Sequence, residues 1–404
     1  YTYTPAIRDL SPLPPIMFSG YRRKDGNVGI RNEVWIIPTV GCVNAVGRAI
    51  ESAAQVFRGP HIDGIFAFEH PYGCSQLGGD MEMTLRFLTG IIRHPNAAGV
   101  LVVGLGCENG NIEQLKRVLG SYDPKRVRFL NCQDVANEIA DGTAAVRELC
   151  LEAEKCCREP CPVSALTVGL KCGGSDGFSG ITANPLLGAF SDRLAAMGGS
   201  VLLTEVPEMF GAERLLMQRC RQREQFDKTV SLINDFKEYF LRYGEKVGEN
   251  PSPGNKAGGI TTLEEKSLGC IQKGGTAPIE DVLRYGDPIG KTGLSLLQAP
   301  GNDLVASGAL VASGAQLVLF TTGRGTPFGC PVPTVKVASN TPLAEKKPAW
   351  IDFDAGILLS NADKTAVTDA FFRLIVDIAD GKKHAKSEGM DKHALAIFKD
   401  GVTL

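Results

Sequence analysis

Short apolar segments of strand length alternate with helical stretches along most of the chain, and this alternation restricts the possible fold more than any other feature of the sequence. The strand-type segments lie at residues 34–37, 64–68, 100–103, 127–130, 166–170, 201–204, 294–297 and 317–320. Apolar strands that are separated by helices and joined by short loops indicate parallel sheets with both faces covered. The sequence therefore predicts an α/β protein built from two doubly wound parallel-sheet units in tandem.

The length of the chain supports a division into two units, because 404 residues exceed what a single core usually serves. Residues 1–20 are rich in proline and are predicted to form an extended arm or linker. We place a first α/β domain at 21–160 and a second at 161–404. Within the second, a long helical section is expected over about 212–243.

Charge and composition exclude several classes of protein. The formal net charge is only -2, which argues against a nucleic-acid footprint or a membrane-surface patch. No apolar run approaches the length of about 20 residues that spans a bilayer, and the first residues have no signal-peptide pattern. Twelve cysteines in a long chain without an export signal do not indicate a disulfide framework. We expect a protein of the reducing cytoplasm that binds neither nucleic acid nor membranes.

Glycine-rich polar loops follow the predicted strands, at residues 70–76, 104–109, 172–180, 250–256 and 321–327. In open parallel sheets, ligands bind at such loops outside the carboxyl ends of the strands. Glycines allow backbone N–H groups to approach an anion, and Lys256 and Arg324 add full positive charges. Neither a phosphate-binding loop nor a clean dinucleotide fingerprint is present. A small, anionic, polyhydroxylated substrate fits these loops better than a nucleotide.

Three of these loops carry a cysteine, and these thiols are candidate metal ligands. Thiolates in converging loops can hold Fe(II), Zn(II) or an iron–sulfur cluster with one open iron position. The candidate ligands are His70, Cys74, Cys107, Glu108 and Cys172. The alternative is that cysteine merely fills space where strands end, and that His70 is a hydrogen-bonded structural residue. Cys270 and four other cysteines are assigned only such a space-filling role.

Two glutamates follow the strand segment at 201–204. Glu205 comes directly after it, at a position that faces the site in this architecture, and is a candidate base or ligand. Glu208 lies three residues further on, where a simple helix cap is the alternative.

Distinctive sequence blocks lie at the same loops and before them. They are residues 20–23, 29–32, 38–42, 70–74 (HPYGC), 104–108 (GLGCE), 172–176 (CGGSD), 180–185 (GITANP), 250–256 and 322–327 (TGRGTP). In these blocks the sequence resembles the altronate/galactarate dehydratase family, and the resemblance extends in the same order from Tyr21 to Leu404. Residues 205–213 and 398–404 are more similar to the altronate branch than to the galactarate branch.

The resemblance implies dehydration of a sugar acid in the breakdown of hexuronates, and the expected reaction converts D-altronate to 2-keto-3-deoxy-D-gluconate. It further implies Fe(II) or another divalent metal such as Mn, with an iron–sulfur cluster as the alternative. The family's C-terminal domain is Rossmann-like with an atypical crossover, and its middle domain dimerises, so we expect a homodimer. A small β-rich N-terminal domain also belongs to the family. It does not precede Tyr1 here, so it is expected to be either cut away or a separate partner subunit.

The family also defines the alternatives. Galactarate dehydratase and the large subunit of a sulfolactate sulfo-lyase are the enzymatic ones, and a sugar-acid-binding subunit that needs a partner for chemistry is the non-enzymatic one. For the dehydratase we assign metal binding to a subset of the five candidate ligands. Catalytic proton transfer is assigned to Glu205, Lys256 and His70. Substrate contacts are assigned to Ser175, Asp176, Asn184, Asn255 and Arg324.

Overall fold

The computed structural model of the chain describes residues 1–360 and 362–404, and it shows an α/β protein with two parallel sheets. One sheet has four strands and the other has seven, and a small three-stranded antiparallel sheet joins them. The predicted α/β class with two parallel sheets is therefore confirmed. Within the described residues, no helix is both long enough and apolar enough to cross a membrane.

The strands, in chain order, are β1 (Met17–Arg22), β2 (Val28–Gly29), β3 (Glu33–Pro38), β4 (Gly64–Ala67), β5 (Ala97–Gly104), β6 (Val127–Asn131), β7 (Glu159–Pro162), β8 (Thr167–Cys172), β9 (Ser200–Leu203), β10 (Ile279–Leu283), β11 (Gly293–Leu297), β12 (Leu317–Thr322), β13 (Thr334–Ala338) and β14 (Phe353–Asp354). All eight segments predicted from the apolar runs are strands. The strands β10, β13 and β14 were not predicted from the sequence. The antiparallel pairs β1–β2 and β1–β7 were not predicted either.

The α-helices, in chain order, are α1 (Asn44–Ala54), α2 (Gly78–Arg93), α3 (Ile112–Leu119), α4 (Glu138–Ala153), α5 (Ala183–Ala196), α6 (Glu213–Met217), α7 (Arg223–Arg242), α8 (Pro253–Ala257), α9 (Leu263–Ile271), α10 (Asp303–Ala312), α11 (Thr341–Lys346) and α12 (Lys364–Ala379). The helical section expected over 212–243 is confirmed, and it consists of two separate helices, α6 and α7. Between them the Arg219 side chain donates to the carbonyls of Gly274 and Ala277, and Cys220 pairs with Ile279, so the chain leaves the helical path there.

The first unit is a four-stranded parallel sheet in the order β4–β3–β5–β6. Its strands are almost wholly apolar; β5 is buried along its entire length. Val34, Ile36 and Leu101 point into a core with α1 and α4, whereas Trp35 and Val100 belong to a core on the other face. Helices thus cover both faces, as near-continuous apolar strands require.

The second unit is a seven-stranded parallel sheet in the order β10–β11–β9–β8–β12–β13–β14. β8 is flanked by β9 on one side and by β12 on the other. The strands that follow β8 in the chain are first added on the β9 side, and from β12 onward they are added on the opposite side. Such a reversal leaves a crevice at the carboxyl ends of the central strands, where ligands bind in open α/β sheets. The carboxyl ends of β8, β9 and β12 are therefore the first place to look for a site.

The two units share one hydrophobic core. Trp35 and Phe87 of the first unit pack in the same buried cluster as Ala306 and Leu310 of α10 in the second. The last residues of the chain return to the first unit, where the backbone N–H of Leu395 donates to the carbonyl of Glu69 at 2.8 Å. Residues 1–16 contain no helix or strand, and the expected arm ends earlier than 20 because β1 begins at Met17 and pairs with β7.

Candidate active site

The central strands of the second sheet bring Cys172 and Glu205 together. Cys172 is the last residue of β8, and Glu205 follows β9 on the neighbouring strand. Glu205 is fully buried and has φ of 70°, a left-handed conformation that is strained for a residue other than glycine. In this conformation its carboxylate accepts the backbone N–H of Cys172 at 3.0 Å. The strained turn therefore aims the Glu205 carboxylate back at the end of β8.

Three buried lysines surround this pair. Lys171 of β8 and Lys273 both donate to the Glu205 carboxylate, the latter at 2.8 Å. Lys273 also lies 2.9 Å from the Cys172 sulfur. Lys266 of α9 donates to Ser175 Oγ at 3.0 Å and pairs with Glu208 at 3.2 Å. Burying an ammonium costs several kcal/mol unless it is well paired, so three in one place indicate a functional site rather than ordinary packing.

Cys172, Glu208 and Cys270 form a compact group of possible metal ligands. Each of the two sulfurs lies 2.9 Å from Glu208 Oε2, and the two sulfurs are 3.6 Å apart. Among residues 1–360 and 362–404, this is the one group of three or more such side chains whose ligand atoms all lie within 4.8 Å of one another. Two thiol sulfurs and a carboxylate oxygen suit Zn(II) or Fe(II), and three protein ligands leave a position open for a substrate.

The environment shifts the pKa values of these groups in opposite directions. The hydrogen bond with Cys270, together with Lys266 and Lys273, holds the pKa of Cys172 well below its usual value despite burial. The same hydrogen bond and burial raise the pKa of Cys270 well above it. Burial, followed by the negative charges of Cys172 and Glu208, raises the pKa of Glu205 to about 8 although two lysines donate to it. The cluster thus contains a thiolate beside a carboxyl group that titrates near neutrality.

The charge balance of the cluster fits a divalent cation. Three ammonium groups face five groups that can be negative, namely Cys172, Glu205, Glu208, Cys270 and Asp303, whose carboxylate lies 2.9 Å from Lys171. With all five deprotonated the cluster has a net charge of −2, which a divalent cation neutralises. Without a metal, protons on Cys270 and Glu205 achieve the same neutrality, in agreement with the raised pKa values of these two groups.

The predicted substrate-binding loops converge above this cluster. The backbone N–H of Arg324, after β12, donates to the carbonyl of Gly174 at 3.0 Å, and the Asn255 side chain donates to the carbonyl of Ser175 at 3.0 Å. The Arg324 guanidinium in turn donates to the carbonyl of Gly254 at 3.0 Å. Loops 172–180, 250–259 and 322–326 therefore meet at one place. Arg324 and Lys256 are exposed there, and Ser175 and Asn255 are buried below.

Asp176 and Asn184 have structural partners in this structure. The Asp176 carboxylate accepts Ser179 N–H at 3.0 Å, Ser339 Oγ at 2.7 Å and Asn340 Nδ2 at 2.9 Å. Asn184 bridges α5 to Gly269 and Thr321. Both residues fix the loops that carry Ser175 and Arg324, and their assignment as substrate contacts stays a prediction.

Four of the five predicted metal ligands lie in the first unit, and the structure does not bring them together with Cys172. His70 is buried; its Nε2 donates to the carbonyl of Pro38 at 2.8 Å and its Nδ1 accepts the N–H of Tyr72 at 3.2 Å. Glu108 accepts Thr39 Oγ1 at 2.5 Å and two backbone N–H groups of its own loop. Hydrogen bonds to the protein thus engage both side chains.

Cys74 and Cys107 are exposed on the loops after β4 and β5. The Cys74 sulfur lies 3.8 Å from Asn109 Oδ1, and Gln133 Nε2 donates to the Cys107 sulfur at 3.5 Å. Within the part of the chain that the structure describes, neither thiol belongs to a group of three possible metal ligands. Of the five predicted ligands, Cys172 alone stands in such a group here.

Burial of two histidines predicts a stability change with pH. Burial lowers the pKa of His70 to about 4 and that of His94, whose Nε2 donates to Ala315 O, to about 3. Both pKa values in the folded protein lie below 6.5, the usual value in an unfolded chain. The two neutral histidines therefore stabilise the fold fully above pH 6.5, and this stabilisation is lost progressively as the pH falls from 6.5 towards the folded pKa values. Between pH 7.5 and 4.5 we expect each histidine to reduce the unfolding free energy by about 2–3 kcal/mol, measured by urea titration. His94→Gln should flatten the profile, whereas His384→Gln, at an exposed position, should leave it unchanged; identical profiles for all three proteins would contradict the prediction.

Sequence reasoning missed Glu208, Cys270 and the three lysines. One local signal was present: Lys171 directly follows the apolar segment 166–170, and a charge in a central parallel strand needs a specific partner. A second signal lies around α9, where Lys266, Cys270 and Lys273 recur at spacings of four and three residues and so share one helical face. Cys270 was assigned only a space-filling role, but its sulfur lies against Glu208 and Cys172 in a group that could hold a metal.

Two protein-family models match most of the chain. Residues 20–154 match the model of the D-galactarate dehydratase/altronate hydrolase second domain, and residues 163–403 match that of the D-galactarate/altronate dehydratase C-terminal domain. The chain belongs to the D-galactarate/altronate dehydratase family. The second-domain model thus corresponds to the four-stranded sheet, and the C-terminal model to the seven-stranded sheet that holds the buried cluster. The resemblance seen in the sequence is confirmed.

Several curated proteins are similar over nearly the whole chain. Altronate dehydratase of Bacillus subtilis is 54% identical over 100% of this chain and 82% of its own length. Altronate dehydratase of Escherichia coli is 52% identical over 100% of this chain and 82% of its own length. Galactarate dehydratase (L-threo-forming) of Escherichia coli is 34% identical over 98% of this chain and 80% of its own length. Within the family, the chain is therefore more similar to these altronate dehydratases than to this galactarate dehydratase.

Proposed function

We propose that this protein is a hydro-lyase that dehydrates D-altronate to 2-keto-3-deoxy-D-gluconate and water. The observation that carries the proposal is the buried cluster of Cys172, Glu208 and Cys270 with three lysines beneath converging substrate loops. The identities of 54% and 52% to two altronate dehydratases support altronate as the substrate over galactarate. Family membership and a suitable site thus favour the same reaction class.

The donor set of Cys172, Glu208 and Cys270 would hold the divalent metal, with Fe(II) as the proposed ion. When bound, such a metal acts as a Lewis acid that polarises the carboxylate and the 2-hydroxyl of a sugar acid. The ligand prediction is thereby revised: Cys172 is kept, and Glu208 and Cys270 take the places assigned to His70, Cys74, Cys107 and Glu108.

The chain's own residues provide the remaining requirements of an elimination. Removal of the proton on C2 places negative charge on the substrate carboxylate, and the buried ammonium groups of Lys266 and Lys273 are fixed in position to stabilise it. Glu205 is the proposed proton acceptor, because its pKa of about 8 allows it to take up a proton near neutral pH. Lys256, exposed on the loop above, is the proposed donor to the departing 3-hydroxyl. Loss of that hydroxyl as water gives an enol that converts to the 2-keto acid.

A substrate panel tests the proposal. The protein is purified without oxygen, loaded with ferrous iron, and given D-altronate, galactarate or sulfolactate, and formation of 2-keto acid and release of sulfite are followed. We expect 2-keto acid from altronate, with a kcat/KM at least tenfold above that for galactarate. Sulfite from sulfolactate as the main product would instead establish a sulfo-lyase. No turnover of any substrate without an added β-rich domain would support the binding-subunit alternative.

Arg324 provides a prediction for substrate binding. Its guanidinium is exposed where the three loops meet and can pair with the carboxylate of a sugar acid. We expect Arg324→Gln to raise KM for altronate about tenfold, which corresponds to loss of one charge-assisted pair, and to change kcat little. Arg373→Gln, which removes an exposed arginine on α12, is the matched control and should leave KM unchanged. An unaltered KM in the Arg324 variant would exclude this residue from substrate binding.

A further inference from the structure

A cavity of about 450 Å³ opens at the amino ends of β5 and β6 in the first unit. Ala98 near the start of β5, Val127 at the start of β6 and the turn at 22–25 line it. The buried cysteine–lysine cluster lies elsewhere, at the carboxyl ends of β8 and β9 in the other sheet. The cavity is therefore a second concave site on the molecule, separate from the candidate active site.

The charge of this cavity differs from that of the whole chain. The chain has a formal net charge of -2. Six basic residues line the cavity, namely Arg22, Arg23, Lys24, Arg93, Lys125 and Arg126, against only three acidic ones, Asp25, Asp123 and Glu152. Positive charge concentrated in a concave site raises the local concentration of anions. The cavity is thus suited to a negatively charged ligand.

Most of this positive charge has no carboxylate partner. Lys24 pairs with Asp123 at 2.7 Å, and Arg22 pairs with Glu159. Within residues 1–360 and 362–404, no carboxylate lies within 4.0 Å of the charged nitrogens of Arg23, Arg93, Lys125 or Arg126. Four unpaired cations around one cavity repel one another, and an anionic ligand would relieve that repulsion.

Two of these four cations, the buried Arg23 and the half-buried Arg126, donate hydrogen bonds to neutral acceptors. Arg23 donates to the carbonyls of Pro95 and Arg31, both at 2.8–2.9 Å. Arg126 donates through Nε and Nη2 to the carbonyl of Ala97 and through Nη2 to that of His94. These bonds hold the guanidinium groups in fixed orientations but supply no negative charge to either of them. Burial, followed by repulsion from Arg23, lowers the pKa of Arg126 to about 10, which reflects the cost of this arrangement.

Apolar side chains also line the cavity. They are Ile92, Leu119, Tyr122 and Val127. Guanidinium and ammonium groups donate charge-assisted hydrogen bonds to phosphate or carboxylate oxygens, and apolar side chains accept a carbon skeleton. We infer that this cavity binds a small organic dianion, a phosphomonoester or a dicarboxylate, with its charged oxygens on Arg93, Lys125 and Arg126.

Calorimetry on the metal-free full chain tests this inference. The protein is titrated with glucose 6-phosphate, succinate, inorganic phosphate and, as a monoanion, acetate, each against sodium chloride of equal ionic strength. We expect saturable binding of at least one dianion with a Kd of about 1 mM or lower, and binding of acetate at least tenfold weaker. Binding of glucose 6-phosphate but not succinate would identify a phosphomonoester site, and the reverse result would identify a dicarboxylate site. Absence of saturable binding for every dianion would overturn the inference.

Variants then locate the binding. Arg93→Gln with Lys125→Gln should weaken dianion binding at least tenfold, and Lys125→Gln alone, at an exposed position, should weaken it about threefold. Arg214→Gln with Lys246→Gln removes the same charge from exposed positions elsewhere and should leave Kd unchanged. Cys172→Ser with Cys270→Ser should also leave Kd unchanged, which distinguishes this cavity from the active site. An unaltered Kd in the Arg93/Lys125 variant would overturn the assignment, even if its Tm falls.

Discussion

Replacing Cys172 or Cys270 by serine is expected to abolish both metal binding and turnover. Each sulfur lies 2.9 Å from the same Glu208 oxygen, so either substitution removes one of the three proposed ligands. Serine is a poor ligand for a metal that thiolates select. We expect metal content after anaerobic loading to fall below about one tenth of the wild-type level and kcat/KM to fall about a thousandfold or more. Elemental analysis and the altronate assay measure the two effects on the same preparations.

Three other cysteines provide controls for this experiment. Cys220→Ser changes an equally buried thiol whose neighbour is Thr229, outside the cluster. Cys74→Ser and Cys107→Ser change the exposed thiols of the first unit. All three variants should retain metal and turnover. If Cys74→Ser or Cys107→Ser loses metal while Cys172→Ser keeps it, the original set of ligands in the first unit is correct and the buried group is not the metal site.

Glu205→Gln is expected to have the second largest effect, and to affect turnover alone. Glutamine keeps the shape of the side chain but cannot accept a proton, so we expect kcat to fall by about 10²–10⁴-fold. Metal content should remain at the wild-type level, because Glu205 is not one of the three proposed ligands. The variant should also lose exchange of the C2 hydrogen of altronate with solvent deuterium, measured by NMR. This readout reports the proton transfer itself.

Glu213→Gln is the matched control, because Glu213 is another buried glutamate, paired with Lys237 at 3.0 Å and remote from the cysteines. It should retain full turnover and C2 exchange. If Glu205→Gln instead reduces metal content and turnover together, Glu205 supports the site through Lys171 and Lys273 and is not the base.

The strands and the loop positions could be predicted from the sequence because both depend on local pattern. Apolar runs such as 100–103 and 317–320 are short and continuous, so their strand character is visible without any tertiary information. The loops after them were located correctly for the same reason. β10 and β13 were missed, since β10 contains Glu280 and Asp281 and β13 contains Lys336, and these charges interrupt the apolar pattern.

The composition of the site depended on long-range packing, which a single sequence does not reveal. Cys270 reaches Cys172 only because α9 packs beside the end of β8, although 98 residues separate the two in the chain. Cys74 and Cys107 carry the same local signal as Cys172, a cysteine in a glycine-rich loop at a strand end. They belong to a different sheet, and pattern alone cannot show which strand ends of two sheets meet.

The shared core and the returning final segment make the two sheets one cooperative unit. Residues 393–395 align with the chain just after β4, and the N–H groups of Asp400 and Gly401 donate to Asp80 at the start of α2. The first sheet therefore cannot detach and unfold while the second stays intact without exposing Trp35 and Leu310 to water. We therefore expect a ligand that stabilises the folded second sheet to protect the backbone amides of the first from hydrogen exchange, even where it touches none of them.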